Sequence, residues 1–273
     1  MVGGSFRAVQ IKGQTVLLTG ASGGLGGAIA RALDGGGARV LLSGRREEAL
    51  ERLKDELGGR PRVLVADLSA PGAGRALAEQ AGEVDVLVAN AGLPASGPID
   101  DLSPEEIDRA LDVNLRAPIQ LTRALVPGMV ARGSGHMVFV SSLSGKVASA
   151  GSTLYSATKF GLRGFAAGLR EDVRDQGVGV TVVFPSFVSG EGMFAETGVK
   201  LRRGVGTRSP EQVAAAVLRG IETGKAEIDV APLALRAGAL AAAVAPGPIA
   251  ALQRRLGSHE VSAEIADAQR LKR

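Results

Sequence analysis

Short apolar runs rich in valine and leucine alternate along the chain with longer stretches of amphipathic, helix-like periodicity. Runs of this length bounded by glycine, proline or charged residues are typical of buried strands, and the longer stretches indicate helices. This alternation predicts strand-helix units and a parallel sheet. The predicted strands are 15–19, 39–43, 62–66, 84–89, 136–141, 178–184 and 227–230, and the predicted helices include 24–33, 46–57, 104–111, 115–131, 155–175 and 210–223.

The order of these elements predicts an α/β fold, a doubly wound parallel sheet of about seven strands with helices on both faces. We expect one domain over residues 1–273, with a core at about 12–230. Residues 190–208 lack a clear period and predict a long loop. The C-terminal extension, 231–273, is expected to act as a lid or to face an oligomer partner or a membrane.

Composition excludes several kinds of site. The chain has no cysteine and two histidines that lie far apart, so we expect neither thiolate chemistry nor a metal site. The absence of cysteine fits a reducing compartment, and we expect a cytoplasmic location. A net charge of +4 comes from interspersed charges, and with only 3% aromatic residues no nucleic-acid partner is predicted. The apolar stretch 237–252 is interrupted by Pro246 and Pro248, so it does not predict a membrane span.

A glycine-rich turn follows the first predicted strand. Thr19 leads directly into Gly20-Ala-Ser-Gly-Gly-Leu-Gly26 and then into a helix. Glycine lets the backbone turn tightly, and the start of a helix carries partial positive charge that favours a phosphate. In a chain with 39 glycines such a motif arises easily, but its place between strand and helix favours a dinucleotide site.

The second predicted strand ends in Gly44-Arg45-Arg46, where an acidic residue would bond the adenosine ribose of NAD. There is no carboxylate at this point. The two guanidinium groups suit a 2′-phosphate instead, so the pair predicts NADP(H) rather than NAD(H). The alternative is a pair of solvated arginines at the start of a helix.

Polar residues also follow the third and fourth predicted strands. Asp67 and Leu68 come directly after one strand, and Asn90-Ala91-Gly92 after the next. Each could be an ordinary loop sequence. Because successive strand ends meet at one edge of the sheet, we expect both segments to lie beside the cofactor.

Tyr155, the only tyrosine of the chain, stands four residues before Lys159 at the start of a predicted helix. This spacing places both side chains on one face, one turn apart. A nearby ammonium is expected to lower the pKa of the phenol toward neutral pH, so that it can exchange a proton with an alcohol or ketone. The same spacing also arises by chance on exposed helices.

Two further side chains are candidates for supporting roles. Ser142 ends the fifth strand thirteen residues before Tyr155, and its hydroxyl could hold a substrate carbonyl oxygen; Ser141 and Ser144 compete for this role. Asn114 lies inside a helical pattern, where asparagine is unfavourable. It could hold water for a proton relay to Lys159, or be structural only.

Taken together, these motifs resemble the short-chain dehydrogenase/reductase family over about residues 12–230. The resemblance implies a Rossmann-like fold, a dimer or tetramer, NAD(P)(H) binding and an Asn-Ser-Tyr-Lys tetrad, here Asn114, Ser142, Tyr155 and Lys159. The expected cofactor-binding residues are Gly20, Ser22, Gly23, Gly24, Leu25, Gly26, Arg45, Arg46, Asp67, Leu68, Asn90, Ala91, Gly92, Tyr155, Lys159, Pro185, Val188 and Ser189.

The chain departs from the family pattern after the sixth strand. Where many members have Pro-Gly and then a threonine that contacts the nicotinamide, this chain has Ser186 and Ser189. We expect hydride transfer between NADP(H) and an uncharged carbonyl or a secondary alcohol. Two alternatives stay open: a non-catalytic NADP-binding regulator, and a membrane-associated reductase of lipids suggested by the apolar segment 233–252 and the arginines that follow.

Overall fold

A computed structural model describes residues 10–190, 192–199, 206–255 and 258–270. Its seven strands are β1 (Thr15–Thr19), β2 (Arg39–Gly44), β3 (Arg62–Val65), β4 (Val86–Ala89), β5 (Gly135–Val140), β6 (Val178–Pro185) and β7 (Glu227–Val230). They form one sheet of order β3-β2-β1-β4-β5-β6-β7, and each neighbouring pair is parallel. The predicted doubly wound parallel sheet is confirmed.

Ten α-helices connect and extend these strands in the described part of the chain. They are α1 (Gly24–Gly35), α2 (Glu47–Glu56), α3 (Ala73–Ala81), α4 (Pro104–Leu111), α5 (Ala117–Arg132), α6 (Thr153–Asp172), α7 (Pro210–Thr223), α8 (Leu233–Val244), α9 (Pro246–Arg255) and α10 (Ser258–Gln269). The starts of α4 and α7 are fixed by capping boxes, Ser103 with Glu106 and Ser209 with Gln212. In each box the serine oxygen accepts from a backbone N–H that the helix leaves unpaired.

The core has two layers, one on each face of the sheet. On one face, α1 and α7 pack Leu33 and Val217 against the strands. On the other, α3, α5 and α6 bury Leu77, Leu121 and Leu162. Strands covered on both faces need apolar side chains throughout, and β4, β5 and β6 are buried along their whole length.

The order in which successive strands are added to the sheet changes direction at β1. Its neighbours β2 and β4 lie on opposite sides, so the connections that leave β1 and β4 diverge and open a crevice between them. Ligands of such sheets bind at this crevice, outside the carboxyl ends of the strands. The glycine turn after β1 and the Asn90 segment after β4 therefore lie at the expected place.

One helix in the core of the fold was not predicted from the sequence. Helix α3 is short, and it contains Gly74, where a Cβ would lie 2.9 Å from the backbone oxygen of Ala117. Close packing on α5 therefore requires small residues in α3. With nine residues, α3 also offers few repeats of the apolar period that would predict a helix.

The long-loop prediction for 190–208 holds in the described part, apart from a single 3₁₀ turn at Ala195–Thr197. A parallel bridge between Val188 and Arg208 closes the base of this loop. The C-terminal extension, in contrast, forms α8, α9 and α10. The proline-interrupted apolar stretch thus becomes two helices, which meet between Val244 and Pro246.

Helix α8 lies on the surface and exposes three large apolar side chains. Leu233, Leu240 and Val244 are 76%, 71% and 82% exposed. Positions separated by seven and eleven residues lie on the same side of a helix, so these side chains form one stripe. Among the described helices, none combines the length and hydropathy that crossing a membrane would require.

Candidate active site

Close backbone contacts hold the glycine turn. Gly20 has a φ of +68°, and a Cβ at Gly26 would lie 2.1 Å from the Gly20 backbone oxygen. The Asn90 side chain donates to the backbone oxygens of Thr19 (3.1 Å) and Gly20 (3.3 Å). Glycine is therefore required at position 20 for its conformation and at position 26 for packing. Helix α1 starts at Gly24 and has no acidic residue in its first turn.

The basic pair lies directly beside this turn. Arg45 and Arg46 are exposed at the end of β2, and Nη2 of Arg46 donates to the backbone oxygen of Ser22 at 2.5 Å. A Cβ at Gly44 would lie 2.9 Å from the Ser22 hydroxyl, so glycine keeps this space open. Two guanidinium groups and a helix N-terminus thus face one end of the same cavity.

The ends of β3 and β4 complete this end of the cavity. Asp67 accepts hydrogen bonds at Oδ1 from the backbone N–H (3.0 Å) and the hydroxyl (2.7 Å) of Ser69, and these bonds hold the pKa of its carboxyl below the usual range. The buried Thr19 hydroxyl accepts from the backbone N–H groups of Asn90 and Ala91, each at 3.1 Å. Asp67 is therefore a fixed, charged acceptor, and β1 fixes the loop after β4.

Three candidate catalytic side chains meet at the ends of β5 and α6. The Ser142 hydroxyl lies close enough to the phenol of Tyr155 to lower its pKa, and Nζ of Lys159 lies 5.6 Å from the centroid of the Tyr155 ring. The competing serines have other partners. Ser141 donates to the backbone oxygen of Lys159 at 3.2 Å, and Ser144 contributes its backbone N–H to Ser142 at 3.1 Å. Of the three hydroxyls, the one at 142 acts on the pKa of the phenol.

The protonation of this cluster differs from the expectation. Burial raises the pKa of Tyr155 to about 12, and the hydrogen bond with Ser142 lowers it only in part. Burial also lowers the pKa of Lys159 to about 8. The Lys159 ammonium donates to the backbone oxygen of Val140 at 3.2 Å. The structure contradicts the prediction that Lys159 lowers the pKa of the phenol. Desolvation of the phenol outweighs the effect of the ammonium charge at this distance.

Asn114 lies in a five-residue π-helical segment, Asp112–Arg116, that joins α4 to α5. Its side chain is fully buried. Oδ1 accepts from the backbone N–H of Leu93 at 2.7 Å, and Nδ2 donates to the Leu93 oxygen at 3.0 Å and to the Thr158 hydroxyl at 3.4 Å. The amide thus joins the loop after β4 to α6 and does not line the cavity. A water relay through Asn114 stays a prediction.

One cavity of about 1190 Å³ contains the remaining candidates. Tyr155, Ser142 and Lys159 line it, and so do all the expected cofactor-binding residues except Ser189. The Ser189 hydroxyl instead donates to the backbone oxygen of Arg208 at 3.4 Å. The structure therefore places the glycine turn, the basic pair and the catalytic candidates around one space, which has room for a dinucleotide and a second small molecule.

Comparison with known proteins decides the family. The model of the family described as short chain dehydrogenase matches residues 14–200. The chain belongs to the short-chain dehydrogenase/reductase family. Its predicted resemblance to that family is confirmed, and with it the assignment to a family of oxidoreductases.

Individual members of the family agree with this assignment over most of the chain. The ketoacyl reductase HetN of Nostoc sp. is 36% identical over 227 residues, which cover 81% of this chain and 79% of the relative. A short-chain dehydrogenase structure from Streptomyces avermitilis matches with a TM-score of 0.75 at 29% identity, covering 91% of this chain and 98% of that one. A short-chain dehydrogenase from Sphingobium yanoikuyae in complex with NADPH matches with a TM-score of 0.73 at 29% identity, covering 85% and 93%.

This short-chain dehydrogenase also has cavity residues that the motifs did not indicate. Arg109 of α4 lies near Asp67 at the end of the cavity with the basic pair. Met193 and Phe194 of the loop after β6 and Ile265 and Gln269 of α10 also form part of the cavity wall. No local motif marks these four residues, because they reach the cavity through the path of the loop and of the C-terminal helices.

Proposed function

We propose that this short-chain dehydrogenase transfers a hydride between NADP(H) and an uncharged carbonyl compound or secondary alcohol. One observation carries the proposal: Tyr155, Ser142 and Lys159 line the same cavity as the glycine turn. A proton donor and a nucleotide-binding turn are both required for carbonyl reduction with a nicotinamide cofactor.

The residues at the basic end of the cavity fit NADP(H). The N-terminus of α1 faces the cavity, has no acidic residue in its first turn and suits a pyrophosphate. Arg45 and Arg46 supply donors for a 2′-phosphate. The described residues directly after β2 include no carboxylate that could bind the free 2′-hydroxyl of NAD(H). The NADPH complex of the Sphingobium relative supports the same choice.

The reaction needs one proton at the substrate oxygen, and Tyr155 is placed to exchange it. When bound, NADPH supplies the hydride. The Ser142 hydroxyl, which is bonded to the phenol, orients and polarises the carbonyl oxygen. Lys159 lies beside Tyr155 and Gly92, and Asn114 keeps the loop after β4 fixed to the helix that carries both Tyr155 and Lys159.

The raised pKa of Tyr155 favours reduction over oxidation near neutral pH. A phenol with a pKa of about 12 retains its proton at pH 7 and can donate it to a developing alkoxide. Alcohol oxidation requires the phenolate, whose population rises with pH until the pKa is reached. We therefore expect carbonyl reduction to proceed at neutral pH and alcohol oxidation to become faster as the pH rises.

Turnover of NADPH against a panel of aliphatic and aromatic ketones, followed at the absorbance of the reduced nicotinamide, tests the proposal. We expect wild-type turnover and a loss of about 10²-fold or more in Tyr155→Phe, because general acid catalysis contributes on this scale. Ser142→Ala should lose nearly as much, and Ser144→Ala much less, since its bond to Ser142 uses the backbone. Unchanged turnover in Tyr155→Phe would reject the mechanism.

Binding without turnover would favour the non-catalytic regulator instead. Titration of the protein with NADPH, followed by NADPH fluorescence, measures binding separately from turnover. Tyr155→Phe should still bind NADPH, because it keeps the turn and the basic pair. Tight NADPH binding together with no activity on any ketone would support the regulator.

The exposed stripe of α8 supports the other alternative, a membrane-associated reductase of lipids. Leu233, Leu240 and Val244 offer an apolar surface that could lie against lipid. Co-sedimentation with phosphatidylglycerol vesicles tests it, with Leu240→Gln as the matched variant; binding that is lost in this variant would support the alternative.

A cytoplasmic location, a single domain and a homodimer or homotetramer stay predictions.

A further inference from the structure

Charged side chains of the edge strand β7 connect to the turn that carries Ser142. Glu227 and Asp229 are two residues apart in β7, so both side chains lie on the same face of the sheet. Nζ of Lys146 lies 2.8 Å from Oε2 of Glu227 and 2.6 Å from Oδ1 of Asp229. It also lies 4.1 Å from the centroid of the Phe184 ring in β6, the strand paired with β7. One ammonium group, on a side chain that is 14% exposed, therefore joins the turn after β5 to the last strand of the sheet.

These charges lie on a face of the sheet that is otherwise apolar. The neighbours of the two carboxylates in β6, Val182 and Phe184, belong to the apolar core on that face. Burial alone raises the pKa of Glu227, but hydrogen bonds from Arg163 and Lys146 outweigh it and hold the pKa below the usual range. Because desolvation of ions opposes their mutual attraction, a partly buried ion pair adds little stability over an apolar contact. Stability alone therefore gives little reason for these charges, whereas fixing the position of Lys146 does.

Lys146 ends a closed turn, 142–146, that begins at Ser142. The Ser142 backbone oxygen accepts from the N–H of Gly145 at 2.8 Å, which closes the turn. The Leu143 backbone oxygen accepts from the N–H of Lys146 at 2.9 Å. The Ser142 hydroxyl accepts from the backbone N–H of Ser144 at 3.1 Å, so the turn also directs this hydroxyl. A displacement of Lys146 is therefore transmitted to the Ser142 hydroxyl.

The turn 142–146 also lies directly against the catalytic helix α6. A Cβ at Gly145 would lie 2.7 Å from the hydroxyl oxygen of Ser141 and 2.8 Å from the backbone oxygen of Lys159. Glycine at this position thus allows the turn and α6 to approach each other this closely. The turn is held from two sides, by its contact with α6 at Gly145 and by the ion pairs of Lys146 with β7.

We propose that Lys146 is a positioning residue for Ser142. Its ion pairs with Glu227 and Asp229 fix the end of the turn, so that the Ser142 hydroxyl lies beside the phenol of Tyr155 and faces the oxygen of the substrate. Lys146 is not among the described residues that line the cavity, so it acts through Ser142 and does not touch the substrate. The inference rests on the proposed carbonyl reduction, in which Ser142 orients the carbonyl oxygen.

The kinetics of Lys146→Met, with NADPH and a ketone that the wild type reduces, test this role. We expect kcat to fall by about 10- to 100-fold, because a small displacement of a group that contacts the reacting atoms lowers the rate on this scale. The Kd for NADPH should be unchanged. Arg236→Met is the matched control: it removes another cation, 3.7 Å from the carboxylate of Asp229, and leaves Lys146 in place, so kcat should stay at the wild-type value.

A second substitution, at Ser142, shows whether Lys146 acts through this residue. In the Ser142→Ala background, Lys146→Met should cause little further loss of kcat, because the hydroxyl that Lys146 positions is already absent. An equal loss of kcat in both backgrounds would mean a general effect on the enzyme and would overturn the inference.

Folding is tested separately, because Lys146→Met leaves two carboxylates with one cation fewer. Adding Asp229→Asn removes one of these negative charges and keeps the pair in which Nε of Arg163 lies 2.6 Å from Oε1 of Glu227. This double variant should unfold at a higher temperature than Lys146→Met and keep its low kcat, since the charge balance is restored and the position of the turn is not. Recovery of kcat together with the unfolding temperature would show an effect of stability alone and contradict the positioning role.

The single tyrosine of the chain provides a measurement that needs no turnover. The Raman doublet of a tyrosine ring reports the hydrogen bonding of its phenol, and in this chain it reports Tyr155 alone. Its intensity ratio should change in the same direction in Ser142→Ala and Lys146→Met, and stay at the wild-type value in Arg236→Met. If it does so while no ketone is turned over, the proposed function fails and the positioning role stands. If ketones are reduced and Ser142→Ala alone changes the ratio and kcat, the positioning role fails by itself.

Discussion

Two parts of the cavity wall are built in different ways. In the glycine turn, backbone atoms approach each other so closely that a single added carbon at Gly26 would lie 2.1 Å from the oxygen of Gly20. In the wall formed by the loop after β6 and by α10, one described hydrogen bond, from the Gln269 side chain to the backbone oxygen of Met193, joins the two segments. The first part is built into the connection between β1 and α1. The second lies outside the sheet, where loops and helix ends tolerate changes of sequence.

The largest effect is expected for Gly26→Ala. The new Cβ cannot avoid the Gly20 oxygen unless the turn moves, so we expect destabilisation by at least about 3 kcal/mol and loss of NADPH binding. Urea unfolding and NADPH titration measure these effects. Gly164→Ala in α6 is the control: a Cβ there meets nothing within 4 Å, and alanine should stabilise the helix by about 0.5–1 kcal/mol. Equal stability of the two variants would show that the turn is not rigid.

Lys159→Met tests the buried ammonium of the catalytic cluster. The folded pKa of Lys159, about 8, lies below its ordinary value of 10.5, so protonation opposes folding. Through this group, stability is reduced below pH 8 and rises with pH between 8 and 10.5. The variant should lose this rise and be more stable at pH 7 by up to about 3 kcal/mol. Unfolding curves at pH 7 and 10 check it, with the exposed Lys225→Met as control; the same pH slope in the variant contradicts burial of the charge.

Arg45→Glu should reverse the charge offered to a 2′-phosphate. We expect the ratio of kcat/KM for NADPH to that for NADH to fall by about 10–100-fold, because charge-assisted hydrogen bonds are replaced by repulsion. Arg75→Glu, an exposed change on α3, is the matched control and should leave the ratio unchanged. An unchanged ratio in Arg45→Glu would mean that Arg46 suffices or that the nucleotide lies elsewhere.

The smallest effect is expected for Ser189→Ala. Its hydroxyl bonds the Arg208 oxygen, and its backbone N–H bonds the same oxygen at 2.9 Å, so removal of the hydroxyl leaves the bridge in place. We expect kcat/KM to change by less than about threefold, within the range of ordinary surface changes. A loss comparable to that of Ser142→Ala would show that Ser189 turns toward the nicotinamide in the loaded enzyme.

Most of the sheet could be predicted because strand and helix periods differ and buried strands are continuously apolar. The predicted bounds of β1, β7, α4 and α7 agree with the structure, and capping residues fix the starts of both helices. Helix α3 was missed because its nine residues offer few repeats of the apolar period. Helices α8 and α9 were missed because alanine and proline dominate their sequence and give no amphipathic period.

The candidate site was predictable where chemistry follows from spacing along one element. Tyr155 and Lys159 share a helix face, and this spacing is sufficient to bring them together. It does not determine how much water reaches them, so the direction of the pKa shift of Tyr155 could not be obtained from the sequence. Ile265 and Gln269 could not be predicted either, because their approach to the cavity depends on the tertiary path of the last helices.

The buried amide of Asn114 has a dynamic consequence. It holds both backbone groups of Leu93 and the hydroxyl of Thr158, which lies directly before Lys159 in α6. To slide α6 against the loop after β4, these bonds would have to break in an environment where water cannot replace them. We therefore expect the catalytic helix and the Leu93 segment of that loop to shift together when either one moves.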